Sequence, residues 1–591
     1  MSEKQPLTTF SEELAQELAD AGIQDAFLVT GGAIAPLTSA LAEQNRIRMH
    51  YMLTEQSAGI AAEAYGYFDG KPALLIVTSG PGVTNALTPV AAAWANSSPV
   101  IIISGQARTG DVDLASRSKS RQIGNQHLRT NLLVGSIVKK FIELNKSSEA
   151  KEIVSVLYAE CVTNRPGPVW LSIPQDIQRG PRSGNRLGLK QSLDQDFNSA
   201  LLYDEILINL KSAKKPAILI GTGSRQSITE IKQFARKFRI PILTTWPGMD
   251  LIAENDELYC GRPGSIPSTW TPNFINVETD FLMVFGARLD LGQVGYNPSG
   301  FAPNATVVRV DIDEEEFTRI PERSNWSNFC LSMQKAKSVI HELSLLNIDL
   351  NFSPWWASIS DWKMSHPKPK DIHQEFSDGI SSYELISQIS SVFKGKNIVT
   401  GSSGTCMEML LQSWEVQEGQ RIINSCGMGS MGFAIPASIG ISIKTGNGEV
   451  ICIESDGSLA MNLQDLVTLK SMNSIFKIIV MDSSGYKSIS LSQRRLRQYP
   501  HGNDCDTFLK LPNVEKLATA IGFTTRVVYH KEEMKSSIAW LSDEKVSALL
   551  LVKVSESEDA LPRLISRPNS NGIMETPPMD VLYPEFVKKR K

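Results

Sequence analysis

The chain is predicted to be an α/β protein built as three doubly wound parallel-sheet domains. Short, fully apolar runs recur along it, as in Pro72–Thr78 (PALLIVT), Val100–Ser104 (VIIIS) and Pro216–Ile220 (PAILI). Strands buried on both faces of a parallel sheet read this way. Helical patterns lie between these runs, and alternation of strand and helix selects a parallel sheet with right-handed crossovers. Two stretches without clear apolar periodicity, about 182–195 and 346–378, read as linkers. They divide the 591 residues, too many for one core, into 1–185, 195–345 and 379–560, followed by a proline-rich tail over 561–591.

Composition excludes several classes. The chain is 42% hydrophobic and 21% charged, as an ordinary globular protein is. A net charge of −4 gives no reason to expect nucleic acid or an anionic membrane as partner. The seven cysteines form no CxxC pair, which indicates neither a disulfide framework nor a zinc site. The N-terminus lacks the features of a signal peptide, and no apolar run reaches the length of a membrane span, so a cytoplasmic location is expected.

The elements follow in order. Thr9–Ala21 is an amphipathic helix with Ser11 as cap before Glu12 and Glu13. A strand over Ala26–Val29 ends at Thr30-Gly31-Gly32, where paired glycines allow close backbone approach to a ligand or simply make a turn. Glu55 stands where an apolar strand gives way to a small-residue helix, about Ala58–Tyr67. It is either a dipole-compensating cap or, if buried, an acid with a tuned pKa. Ser79-Gly-Pro-Gly-Val-Thr-Asn85 is a tight turn into another small-residue helix. In the second unit, Gly221-Thr-Gly-Ser224 is a fragment of a dinucleotide fingerprint. The strand Val308–Asp313 ends in acid, which meets a ribose hydroxyl or caps the next helix.

The third unit holds the most chemistry. A strand over Val450–Ile453 stops at Ser455-Asp456-Gly457-Ser458, a helical pattern places Leu463, Leu466, Val467 and Leu469 on one side, and a second strand over Ile475–Met481 stops at Asp482-Ser483-Ser484-Gly485. Parallel pairing puts both turns at one sheet edge, where such sheets bind ligands. Their carboxylates and hydroxyls suit Mg²⁺ with a bound phosphate, although two capped βα turns look the same.

Several further stretches stand in register with these turns: Glu55, Thr78-Ser-Gly-Pro-Gly-Val-Thr-Asn85, Arg165-Pro-Gly-Pro-Val, Gly286-Ala-Arg288, Gly401-Ser-Ser-Gly404-Thr405 and Gly427-Met-Gly429-Ser-Met431-Gly432. In this order they resemble the thiamine diphosphate enzymes of the acetolactate synthase and pyruvate oxidase group over nearly the whole chain. The resemblance implies a pyrimidine-binding, a middle and a diphosphate-binding domain. It implies decarboxylation of a pyruvate-like 2-oxoacid and carboligation of the product to a second carbonyl. Glu55, with Gln126 and Gly32, is then the catalytic set, Glu55 holding the cofactor's pyrimidine ring. Pro81, Asn85, Gly404, Thr405, Gly429, Met431, Asp456, Gly457, Ser458 and Tyr486 are implied to bind the cofactor, with Met431 wedging it into a bent form. Asp456, Ser483 and Asp482 are implied at the metal. Arg165, Gly221, Gly286, Arg288 and Asp311 mark a middle-domain site for which FAD, ADP and an empty cleft all stay open. The family's sites lie between subunits, which implies a homodimer or homotetramer.

Four departures from the family pattern set further expectations. Ser455 replaces a glycine, which matters if that position needs a positive φ. Asp482-Ser483 replaces Asn-Asn, leaving a neutral hydroxyl at the metal. Asn125 and Ser492 stand where bulkier residues shape the acceptor site, and Arg494, Arg495 and Arg497 follow, so the acceptor is either larger or anionic, such as a keto sugar, or the arginines are a solvated face. Cys260-Gly-Arg-Pro-Gly-Ser265 departs from the family's FAD pattern. A catalytically silent regulatory or structural paralogue is the remaining alternative.

Overall fold

The computed structural model describes residues 9–189, 199–320, 323–372, 376–401, 403–496, 498–499, 501–503 and 509–585. Arg497 and part of each expected linker lie outside them. Three parallel sheets carry the fold, as predicted. The first comprises β1 (Asp25–Leu28), β2 (Arg48–Tyr51), β3 (Ala73–Val77), β4 (Val100–Gln106), β5 (Lys140–Glu143) and β6 (Val169–Pro174), in the order β2-β1-β3-β4-β6-β5. The second comprises β7 (Pro216–Ile220), β8 (Ile242–Thr244), β9 (Phe281–Phe285), β10 (Thr306–Asp311) and β11 (Trp326–Cys330), in the order β11-β10-β9-β7-β8. The third comprises β12 (Asn397–Thr400), β13 (Arg421–Ile423), β14 (Val450–Ser455), β15 (Phe476–Asp482), β16 (Thr524–Val528) and β17 (Ala548–Lys553), in the order β13-β12-β14-β15-β17-β16. The first and third sheets therefore share one topology, an internal likeness that local sequence patterns do not reveal.

Strand alternation divides each outer sheet between two cores. Ala26, Leu28, Leu74 and Ile76 enter one core of the first sheet. Phe27, Leu75 and Val77 enter another, which continues through Val399, Cys452, Ile478 and Val480 of the third sheet. The helix Glu55–Asp69 packed on the helix Ala434–Lys444 makes that continuity. A small residue permits the approach: a Cβ on Gly440 would sit 2.2 Å from the Ala61 carbonyl oxygen.

Polar groups fix the register of this junction. Ser57 Oγ donates to the buried Asp465 carboxylate, and Lys444 reaches Asp69 at 2.8 Å while lying 4.0 Å over the Tyr65 ring. Glu63 is buried between the domains, where its Oε1 accepts from Asn96 Nδ2 at 2.7 Å and Ser425 Oγ at 3.1 Å. Burial raises its carboxyl to about 8, although both hydrogen bonds pull the other way.

Three expectations change. The expected linker 346–378 contains a helix, Ser353–Ser365, because Trp355 and Ile359 bury one turn apart against the middle core, with Trp362 packed alongside. The first helix spans Phe10–Asp20 and is capped by Thr9, not Ser11. The Thr9 hydroxyl and the Glu12 carboxylate exchange hydrogen bonds with each other's backbone, while Ser11 is buried within the first turn. Of the four apolar residues expected on one helix side, Leu466 and Leu469 are fully buried but Val467 is exposed.

Two predictions follow from the junction. Gly440→Leu forces the two helices apart and is expected to destabilise the chain by about 1–3 kcal/mol, read as a lower chemical-unfolding midpoint. An unchanged midpoint would contradict this packing. For Glu63, a carboxyl raised to about 8 in the fold contributes stability that is full below its ordinary value of 4.5 and is lost as pH rises through about 8. The melting temperature of the native chain should therefore fall relative to Glu63→Gln between pH 6 and 9. Parallel curves would show that Glu63 is not held protonated.

Candidate functional site

The two turns of the third sheet meet as expected. β14 and β15 are parallel neighbours with Ser455 opposite Met481, so both chains leave the sheet side by side. Ser455 is extended, at φ −94° and ψ 156°, so serine replaces glycine there without strain. Ser484 at φ +60° and Gly485 at φ +146° turn the second loop back, and the Gly485 N–H donates to Asp456 Oδ2 at 2.8 Å. Ser483 Oγ lies 3.5 Å from Asp456 Oδ1. Burial first, and the charge of Asp482 second, raise the Asp456 carboxyl to about 7.

Asp482 does not join this pair at the metal position. Its Oδ1 accepts from the Ser484 N–H at 3.0 Å, and its Oδ2 is bound by Lys553, its partner in register on β17. The expectation of Asp482 as a direct metal ligand is corrected on that ground: both oxygens are engaged elsewhere. Among the described residues no three His, Cys, Asp or Glu side chains gather as a metal cluster, so a cation at Asp456 and Ser483 would take further oxygens from a bound phosphate or water.

Above this pair is a cavity of about 250 Å³ lined by Gly404, Thr405, Met431, Gly457, Ser458, Ser483, Tyr486 and Lys487. Gly404, at φ +81°, opens the helix Gly404–Ser413 and turns its first amides toward the space. A Cβ on Gly457 would meet the Tyr486 ring at 2.6 Å, so glycine lets that ring close down on the turn. The loop bearing Met431 is tied to the same turn: the Gly432 N–H donates to Ser458 Oγ at 2.8 Å, and Asn462 Nδ2 donates to the Gly432 oxygen at 2.7 Å. Gly429, at φ +65°, shapes the loop without lining the cavity. Helix amides, hydroxyls and one carboxylate suited to a cation make this donor set fit a diphosphate.

Two residues here escaped the sequence reading. Glu454 is buried, and its carboxylate accepts from the Ala434 and Ser455 N–H groups, each at 3.1 Å; it caps the helix Ala434–Lys444, and burial raises it to about 7. Its signal was an acid within the apolar run VICIES. Lys487 is the only charged side chain among the described cavity-lining residues.

Gly32, Glu55, Pro81, Asn85 and Gln126 gather at the carboxyl edge of the first sheet, and none of them lines that cavity. Glu55 is half-buried at the start of its helix, and Asn85 Nδ2 donates to its Oε2 at 3.0 Å. Gln126, at φ +59°, packs on Gly80, where a Cβ would fall 2.8 Å from that of Gln126. The Gly32 oxygen accepts from Gln175 Nε2 at 3.2 Å. Gly32, Pro81, Asn85 and Gln126 are exposed, and Tyr51 and Leu53 beside Glu55 are 57% and 54% exposed.

The middle-domain residues converge only in part. Arg165, Gly221, Gly286 and Arg288 line one cavity of about 60 Å³, and Asp311 stands behind it, raised by burial to about 6. Arg165 is paired with Asp313 at 2.7 Å and with Glu316, and Arg288 donates to the Ala95 oxygen at 2.7 Å. This cleft is far smaller than the several hundred Å³ of an ordinary ligand site. The residues as arranged do not fit a dinucleotide such as FAD, which would need the cleft to open and Arg165 to leave its carboxylates.

No helix among the described residues is long and apolar enough to cross a membrane. Comparison with known proteins matches three family domains in succession. They are the thiamine pyrophosphate enzyme N-terminal TPP binding domain over residues 8–129, the central domain over 203–324, and the C-terminal TPP binding domain over 402–552. The chain is 27% identical over 571 residues to acetolactate synthase 1, chloroplastic, of Nicotiana tabacum, covering 94% of this chain and 83% of that one. It is 26% identical over 562 residues to the acetolactate synthase isozyme 1 large subunit of Escherichia coli (strain K12), covering 94% and 95%. It is also 26% identical over 563 residues to the acetolactate synthase large subunit of Lactococcus lactis subsp. lactis (strain IL1403), covering 94% of each. With all three domains matched in the family's order, the chain belongs to the thiamine pyrophosphate-dependent enzymes and is acetolactate synthase-like.

Proposed function

We propose that the chain uses thiamine diphosphate and Mg²⁺ to decarboxylate a pyruvate-like 2-oxoacid and join the two-carbon product to a second carbonyl, working as a homo-oligomer with its sites between copies. One observation carries the reading. A cavity of about 250 Å³ with a cation-suited pair is formed at the third sheet, while the carboxylate that such chemistry needs stands half-buried at the edge of the first, outside that cavity. Each is half of a site, and a second copy brings the halves together.

When bound, the cofactor supplies a nucleophilic ring carbon and an electron sink for the bond that breaks as CO₂ leaves. Glu55 would hold the cofactor's pyrimidine ring by a hydrogen bond, and Asn85 orients its carboxylate by donating to Oε2 at 3.0 Å. Asp456 and Ser483 would hold the divalent cation, with the Asp456 carboxyl, raised by burial, binding it as the carboxylate. Thr405 would offer its hydroxyl to the diphosphate, and Met431 would prop the cofactor from the loop fixed by Ser458 and Asn462. Gln126 faces the acceptor side.

A larger acceptor, such as a keto sugar, is the second reading. It is favoured by Asn125 and Gln126 standing exposed at the sheet edge, where a small side chain leaves room. A screen of 2-oxoacid donors with pyruvate and keto-sugar acceptors, read as CO₂ release and coupled product, separates the two. Product formed faster from a keto sugar than from a second pyruvate selects the larger acceptor.

Glu55→Gln is expected to lower turnover at least a hundredfold while cofactor affinity changes little, because a positioned acid–base group contributes about 10²–10⁴-fold. A loss below tenfold would overturn the role of Glu55. Asp456→Asn is expected to abolish the Mg²⁺ dependence of cofactor binding in calorimetry, and an unchanged dependence would remove the metal assignment.

A further inference from the structure

The residue that the proposed mechanism leaves unused is Lys487. It begins the nine-residue helix Lys487–Arg495 and lines the cavity beside Cys406 and Ser488. It is only 8% exposed, its amine opens on the cavity, and among the described residues that amine has no hydrogen bond or ion pair. A buried, unpaired cation is unfavourable, and a cation in the first turn of a helix opposes the helix dipole as well. Burial accordingly lowers its pKa.

The charges that face it do not explain it. Glu558, Asp559 and Asp378 are the carboxylates whose charges act most on Lys487, and each has donors of its own, while the buried Glu408, which also feels Lys487, pairs with Arg563 at 4.0 Å. Glu558 accepts from Ser381 Oγ and the Ser382 N–H, both at 2.6 Å. Asp559 accepts from Arg495 and Arg563, both at 2.9 Å. Asp378 accepts from Ser555 Oγ at 2.7 Å and the Ser557 N–H at 3.0 Å. An anion in the cavity would relieve the burial of the amine and the adverse dipole together. The cation-suited pair beside it is thin, with one carboxylate and one neutral hydroxyl, because Asp482 is spent on Lys553.

We propose that Lys487 is a binding residue for the cofactor's diphosphate, supplying a fixed positive charge that shares the anion with the divalent cation. The assignment rests on reading the cavity as the diphosphate site. It sets this chain's charge supply apart from one that depends on the metal alone, so part of its affinity for a diphosphate survives removal of the metal.

The test is calorimetric titration of the full-length chain and of Lys487→Met and Lys487→Arg with thiamine diphosphate and with inorganic pyrophosphate, each in Mg²⁺ and in EDTA. The native chain should keep measurable pyrophosphate binding in EDTA. Lys487→Met should weaken both ligands at least tenfold, with the larger loss in EDTA, and Lys487→Arg should stay within about threefold of native. Equal cofactor affinity in the native chain and Lys487→Met would overturn the assignment and leave the proposed function standing. So would a rise in KM for the 2-oxoacid at unchanged cofactor affinity, which would place the amine on the substrate carboxylate. A native chain that binds neither ligand in Mg²⁺ would overturn both. Matched melting curves of the variants show that a loss is not unfolding, and loss in both variants with native-like melting would overturn charge as the cause.

Discussion

The close approach of the helix Glu55–Asp69 to the helix Ala434–Lys444 is the contact on which the rest of the site depends. Glycine at 440 lets backbone meet backbone at Ala61, and the two outer sheets share one core across it. From this contact the polar links run outward. Asn96 donates to both Glu63 and Ser425, and its Oδ1 accepts from the Gly427 N–H at 3.0 Å. The loop Gly427–Gly432 is thus held at its start by the first domain and at its end by Ser458 of the third. The position of Met431 over the cavity follows from those two anchors.

The same architecture explains why several acids here are hard to ionise. Glu63, Glu454 and Asp456 are all buried, and desolvation is the largest cause of the upward shift in each. Their uses differ. Glu63 joins two domains, Glu454 caps a helix, and Asp456 binds the second turn back through the Gly485 N–H. On the first sheet Glu55 is only half-buried, beside the exposed Tyr51 and Leu53.

Much of this was legible in the sequence, and the exceptions have physical reasons. Strands buried on both faces are apolar throughout, so the sheets could be read directly from runs such as PALLIVT. Turns at sheet edges carry residues that no core requires, so Asp456, Gly457, Ser458 and Ser483 stood out and do converge. Asp482 misled because its orientation is set by Lys553, a neighbour in space but 71 residues away in sequence. The helix Ser353–Ser365 is masked by Pro354 and its three tryptophans, although Trp355, Ile359 and Trp362 keep helical spacing. Thr9 lost to Ser11 as cap although Thr9 and Glu12 already had the capping-box spacing. Lys487 carried no signal, since a lysine in a polar stretch reads as surface, and only its burial beside a cavity shows otherwise.

The claim that two copies each supply half of every site is tested most directly by mixing two inactive variants. Glu55→Gln and Asp456→Ala are each disabled in a different half. Dissociated, mixed in equal amounts and reassociated, they should form mixed dimers in which one of the two sites is intact. Random pairing predicts recovery of about a quarter of native turnover, with neither variant active alone. A mixture as inactive as its components, although mixed dimers are shown to form, would place both halves in one chain and contradict the account.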